Sequence, residues 1–154
     1  KLKIKIISIG NKPPQWVKDA IKSYSDRVEN HFKIGWVEIK PEKNFSSVKK
    51  KKELEAKKIL TQINNDFIIC LDENGVDCSS TKFSKNLSLW VQTYPSISFI
   101  IGGADGLGDE IFKRANWKWS LSKMTLPHHL VKIILIEQIF RATSILNNHP
   151  YHRE

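Results

Sequence analysis

An α/β domain with a mostly parallel sheet flanked by helices is the fold class that the sequence predicts, on three observations. Short apolar, β-branched runs alternate along the chain with amphipathic stretches of helical period. Two of the runs, Phe67–Leu71 and Ile97–Ile101, are apolar throughout, as strands covered on both faces must be. Turn-forming residues follow the runs at once, and no repeat or linker interrupts the 154 residues, so one domain, 1–154, is expected.

Taken in order, Ile4, Ile6, Ile7 and Ile9 make a first strand that ends at Gly10. Pro13 and Pro14 suit the first turn of a helix whose apolar stripe is Trp16, Val17, Ala20, Ile21, Tyr24 and Val28. Ile34–Ile39 reads as a second strand. A lysine-rich helix follows, capped at Ser46 or Ser47, with Leu54, Ile59, Leu60 and Ile63 as its weaker apolar side. Asp72-Glu73-Asn74-Gly75 is expected to break the Phe67–Leu71 strand. A helix opening at Ser80 or Thr81 then carries Phe83, Leu87, Trp90, Val91 and Tyr94, and Pro95 stops it. Ile97–Ile101 leads into Gly102-Gly103. A short helix from about Asp109, a short strand near Trp119–Leu121 and a long helix from His129 to Leu146 complete the order.

Composition narrows the function. The net charge is +9, from 25 Lys and Arg against 16 Asp and Glu, a balance that favours polyanions. Between Lys40 and Lys58 there are eight lysines against three glutamates, so more than half of the excess sits there. That run is either a nucleic-acid contact or a solvated helix face. The two cysteines, Cys70 and Cys78, supply neither a disulfide framework nor a four-ligand zinc site, and a reducing, cytoplasmic setting is expected. The opening residues alternate Lys with Ile, so no secretory leader is expected there, and no apolar stretch is long enough to span a membrane.

In a parallel sheet ligands sit at the C-terminal ends of the strands. Three loops are expected at such ends: Asp72–Asp77, Gly102–Gly108 and Ser122–His128. The second has four glycines in seven residues, which lets a ligand approach the backbone, yet it matches neither the dinucleotide fingerprint nor a phosphate-binding P-loop. An ordinary tight turn is the alternative. His128 and His129 diverge by about 100° on a helix and are not expected to share a metal. Asp72, Glu73 and Asp77 lack a further acidic partner for magnesium, so no metal site is expected. The closing Asn147–Glu154 carries two imidazoles, a phenol and a guanidinium where most chain ends fray.

Two function classes fit these features. A non-enzymatic RNA-binding factor accounts for the lysines and aromatics. It does not account for a glycine loop and a Met-Thr-Leu-Pro loop that both fall at strand ends.

The segments Ile101-Gly102-Gly103-Ala104-Asp105-Gly106-Leu107, Leu121-Ser122-Lys123-Met124-Thr125-Leu126-Pro127-His128 and His149-Pro150-Tyr151-His152-Arg153 resemble, in order, motifs of the RlmH family. These are small SPOUT-class methyltransferases, and the likeness runs the length of the chain. It implies a C-terminal trefoil knot, which ordinary topology rules would not predict. It further implies S-adenosyl-L-methionine as cofactor, held by Leu71, Gly103 and Ser122, Lys123, Met124, Thr125, Leu126 and Pro127. The substrate it implies is N3 of a pseudouridine in 23S ribosomal RNA of the assembled ribosome. Tyr151, His152 and Arg153 match the residues implicated in substrate engagement and catalysis. A homodimer is implied as well, with the nearly all-round apolar last helix buried against the partner. Departures are mild: Lys132 stands where relatives often carry Arg, and His129 replaces a frequent proline.

Overall fold

The structure, a computed structural model, describes residues 2–153. Five strands, β1 (Leu2–Ile9), β2 (Phe32–Ile39), β3 (Phe67–Asp77), β4 (Ser96–Ile101) and β5 (Trp117–Ser120), alternate with helices α1 (Gln15–Val28), α2 (Val48–Leu60), α3 (Ser80–Thr93), α4 (Asp109–Arg114) and α5 (His128–Leu146). Every strand pairing is parallel and the order is β2-β1-β4-β3-β5, so the expected fold class holds.

Period-2 alternation sorts the apolar side chains onto two faces. Ile4, Ile6, Ile69, Ile97 and Phe99 face one layer, with Val28 of α1, Phe83 and Leu87 of α3, and Leu135, Ile136 and Ile139 of α5. Ile7, Ile9, Ile68, Cys70 and Ile100 face the other, against Ala56 and Ile59 of α2 and Ile111 of α4. Cys70 is thus a core residue, and burial pushes its thiol up to about 12. The short edge strand β5 is held by its aromatics: Trp119 stacks on Phe83 at 4.3 Å and on Trp117 at 5.5 Å. That stack fixes where the chain leaves β5 for the Ser122–Pro127 segment.

Some details differ from the sequence-based reading. Asp72–Gly75 does not end β3; Leu71 and Val76 both pair with Trp119, and the residues between bulge out of the ladder before the strand resumes. The Asp72 carboxylate accepts from the Asn74 N–H at 3.1 Å and shapes that bulge locally. Trp16, expected on the core stripe of α1, is 58% exposed, while Val17 beside it is fully buried. Ile63 is buried but lies past the end of α2. Two helix starts are as expected: Ser47 caps α2, accepting from Lys50 N–H, and α3 begins at Ser80, capped by Ser79.

Candidate functional site

Because the strands are all parallel, their C-terminal ends meet along one edge. Ile9-Gly10, Leu71–Asn74, Ile101–Gly103 and Ser120–Ser122 bound a cavity there of about 680 Å³. That volume suits a ligand of nucleotide size. Met124, Thr125, Leu126, His128, His129 and Val131 form another wall, and Lys51 of α2 reaches in.

The glycine loop is shaped by its own backbone. Gly106 takes φ +81°, a conformation that favours glycine, and its N–H donates to the Gly103 carbonyl at 3.0 Å. The Ser122 segment is likewise self-braced. The Ser120 hydroxyl donates to the Ser122 carbonyl at 2.8 Å, and the Ser122 hydroxyl accepts from Met124 N–H at 2.9 Å.

Of the strand-end residues singled out in the sequence, Leu71, Gly103, Ser122, Met124, Thr125 and Leu126 line the cavity. Lys123 points outward, 89% exposed and 3.8 Å from Asp77, and Pro127 sits at the head of α5, where its carbonyl accepts from Val131 N–H. Asp72 and Glu73 line the cavity too; among the described residues no group of three or more His, Cys, Asp or Glu converges as metal ligands would.

The tail lies elsewhere. Asn148 takes φ +55° and turns the chain back onto α5. The Tyr151 hydroxyl donates to Glu137 at 3.0 Å, the Arg141 guanidinium lies 4.8 Å from the Tyr151 ring centre, and Arg141 meets His152 Nδ1 at 3.1 Å. Burial, with hydrogen bonds to Tyr24 and Glu137, raises the Tyr151 phenol well above its ordinary range. Arg153 is exposed. The cavity borders the first turn of α5, whereas Arg141 is thirteen residues on, about 20 Å along the axis. Within one chain the tail and the cavity are not brought together.

A family described as "Predicted SPOUT methyltransferase" matches residues 2–152. The chain belongs to this SPOUT methyltransferase family. Curated relatives named "Ribosomal RNA large subunit methyltransferase H" share 41% identity in Methylobacillus flagellatus and 39% in Neisseria gonorrhoeae, each over 99% of this chain and 100% of the relative. The solved structure of a probable methylase family protein from Haemophilus influenzae covers 98% of this chain and 70% of its own, with TM-score 0.55 and 11% identity, and shares the fold.

In this SPOUT methyltransferase the cavity also uses residues that sequence reasoning passed over. Gly10 and Asn11 line it, and the signal was available, since Gly10 ends an apolar strand on the same edge. His128 packs its ring on Gly10 so closely that a Cβ there would sit 2.5 Å from Nε2. Burial, reinforced by Lys132 and His129, lowers the His128 imidazole below its usual range, so it is neutral near pH 7. Its Nε2, and His129 Nδ1, are buried without a hydrogen-bond partner. One turn on, Lys132 is fully buried and ion-paired to Glu38 of β2, which also accepts from the Ser8 hydroxyl at 3.4 Å. Nothing in the spacing of Lys132 distinguished it from a surface lysine.

Among the described residues no helix is long and apolar enough to cross a membrane. The lysine run is partly spent inside the fold: Lys51 pairs with Asp105 at 2.7 Å and Lys58 with Glu42 at 2.8 Å.

Proposed function

We propose that this SPOUT methyltransferase is a cytoplasmic, single-domain homodimer that transfers a methyl group from S-adenosyl-L-methionine to a pseudouridine N3 of 23S ribosomal RNA in the assembled ribosome. The observation that carries the reading is the strand-end cavity, which gathers Leu71, Gly103 and most of Ser122–Pro127 in a family of methyltransferases. The large-subunit ribosomal RNA in the relatives' names supports the substrate class, and the positive charge fits a polyanion.

The residues present fit the cofactor. Leu71, Leu121 and Leu126 offer apolar surface to a base, and the open backbone at Gly103 admits close approach. When bound, S-adenosyl-L-methionine supplies an electrophilic methyl group on a positively charged sulfonium. Asp72 and Glu73 on the lining favour that charge, and a neutral His128 adds none to oppose it. Leu71, Gly103, Ser122, Met124, Thr125 and Leu126 hold the cofactor, with Lys123 and Pro127 setting the ends of their segment.

Transfer to an imide nitrogen needs alignment and loss of the N3 proton. Alignment by a rigid site supplies on the order of 7–11 kcal/mol of a barrier. His152 accepts the imide proton, Arg153 holds a phosphate or the developing uracil oxyanion, and Tyr151 anchors the segment that carries both. These roles require a second chain. Leu130, Ile133 and Ile134 share a face of α5 with Glu137 and Arg141, the tail's own anchors, and Leu130 remains exposed. An isologous pairing through this apolar face covers it and brings a tail toward the partner's cavity, which the length of α5 denies to its own. The family's trefoil knot is consistent with a chain that runs from β4 past β3 to edge strand β5 and returns as α5 against α1 and α3.

The test is transfer of labelled methyl from S-adenosyl-L-methionine to ribosomes that lack the modification, with mass spectrometry of the digested RNA. Label at N3 of one large-subunit pseudouridine is expected. RNA binding without transfer would return the chain to the class of binding factors.

A further inference from the structure

Helix α2 sends one of its lysines inward. Among the described residues Lys51 is the only Lys or Arg that lines the cavity. Its side chain is 13% exposed, against 49% for the adjacent Lys50, and its Nζ lies 2.7 Å from the Asp105 carboxylate in the glycine loop. The Phe45 ring stands 5.5 Å from the same ammonium and covers another side of it. The hydrogen bond that Lys51 donates to the Asp105 carboxylate raises the Lys51 pKa, so the ammonium stays charged. A pair this near the surface adds little to folding. Its placement at the cavity wall asks for another explanation.

A zwitterion presents one carboxylate and one ammonium a short distance apart. Lys51 lines the cavity and Asp105, which is outside the lining, is joined to it from the glycine loop at the rim, so a zwitterionic ligand reaching that rim exchanges one ion pair for two and strands neither partner. We propose that Lys51 and Asp105 form the subsite for the α-amino-acid end of the cofactor, Lys51 receiving the carboxylate and Asp105 the α-ammonium. This rests on the S-adenosyl-L-methionine reading above. Backbone groups of the glycine loop accept an adenosine whatever is attached to it; Lys51 and Asp105 select for the amino acid.

The experiment compares S-adenosylhomocysteine with 5′-methylthioadenosine by isothermal titration against the whole protein. Both are neutral thioethers on adenosine, and only the first carries the amino acid. The parent protein is expected to prefer S-adenosylhomocysteine. Lys51→Met should shrink that preference by roughly 10–100-fold, the loss of one charge-assisted hydrogen bond, while affinity for 5′-methylthioadenosine stays at the parental value. Lys51→Arg should restore part of the preference and Asp105→Asn should lose part of it. Thermal melts of each variant show that the fold is retained. An unchanged preference in Lys51→Met, or an equal loss for both ligands, overturns the subsite alone. If the parent binds neither ligand nor S-adenosyl-L-methionine itself, the cofactor reading falls and the subsite with it.

Discussion

The two edges of the sheet treat buried polar groups in opposite ways. At the N-terminal edge Asp66, its side chain 4% exposed, is completed by its own chain. Ser96, Ser98 and Lys5 all donate to it, the last two at 2.6 and 3.2 Å. Burial alone would raise this carboxyl, but the three donors outweigh burial and hold it below its ordinary range. At the C-terminal edge His128 Nε2 and His129 Nδ1 are buried with nothing to bond, beside a cavity and a loop that needs Gly106 at positive φ. The Asp66 cluster is finished and the two imidazoles are left for a partner, although Lys132 at their own edge is completed by Glu38. A polar residue's burial therefore does not separate structure from function, whereas whether the chain itself satisfies it does.

Changes to groups that serve the cavity should strike function, and changes to polar groups that the chain itself completes, at either edge, should strike stability. The largest effect is expected from the tail that we assign to the open edge of the partner chain. His152→Ala should slow methyl transfer by about 10²–10⁴-fold, with partial rescue as pH rises and the imide loses its proton unaided. Turnover at the parental rate would remove His152 from the chemistry.

Next comes the ion pair beneath the cavity. Glu38→Ala leaves Lys132 buried without its counter-charge and should cost about 3 kcal/mol in urea unfolding, the low end for a broken buried pair because Glu38 is partly solvated. Lys132→Met keeps the volume and removes the charge, so it should cost less than Glu38→Ala. The reverse order would contradict this account of the pair.

At the closed edge Asp66→Ala strands Ser96 and Ser98, leaves Lys5 to the Gln62 carbonyl, and should lower stability by about 1–3 kcal/mol, with cofactor affinity unchanged. A change in affinity larger than the change in stability would blur the distinction between the edges.

The smallest effects are expected in pH dependence. Asp66 has a lowered folded pKa, so its contribution is present above the unfolded carboxylate range, near pH 4, and fades as pH falls through the folded value. His128 is also lowered, so the unfolded chain takes up a proton first and stability falls as pH drops below about 6.5. The His128→Gln variant should lose stability less steeply between pH 7 and 5.5 than the parent, measured by urea titration at each pH. Equal slopes would mean that His128 is not held neutral.

The alternation of periods made nearly every element legible in the sequence, and the apolar runs with glycine behind them marked the edge where the cavity forms. The β3 bulge was not legible, because Asp72-Glu73-Asn74-Gly75 has the composition of a turn and only pairing with Trp119 keeps it in the sheet. Trp16 counted toward an apolar stripe by spacing, and spacing does not report that the first turn of α1 buries Val17 and leaves Trp16 outside. Lys51 and Lys132 were hidden for a related reason: their roles come from what faces them across the fold, Asp105 and Glu38, and each belongs to a stretch that reads uniformly as lysine-rich or apolar. The tail was legible as a cluster of functional residue types, but its distance from the cavity follows from the length of α5.

Gly103→Val tests the open edge most directly. An added Cβ at Gly103 meets the Ile9 methyl at 3.3 Å, a contact that a small shift can absorb, while the rest of the valine occupies the cavity wall. Isothermal titration with S-adenosyl-L-methionine, run beside urea unfolding and sedimentation, separates binding from folding and assembly. The account predicts heat of binding for the parent and none for Gly103→Val, with unfolding and oligomeric state alike in both. A folded variant that binds S-adenosyl-L-methionine with the parental affinity would contradict it.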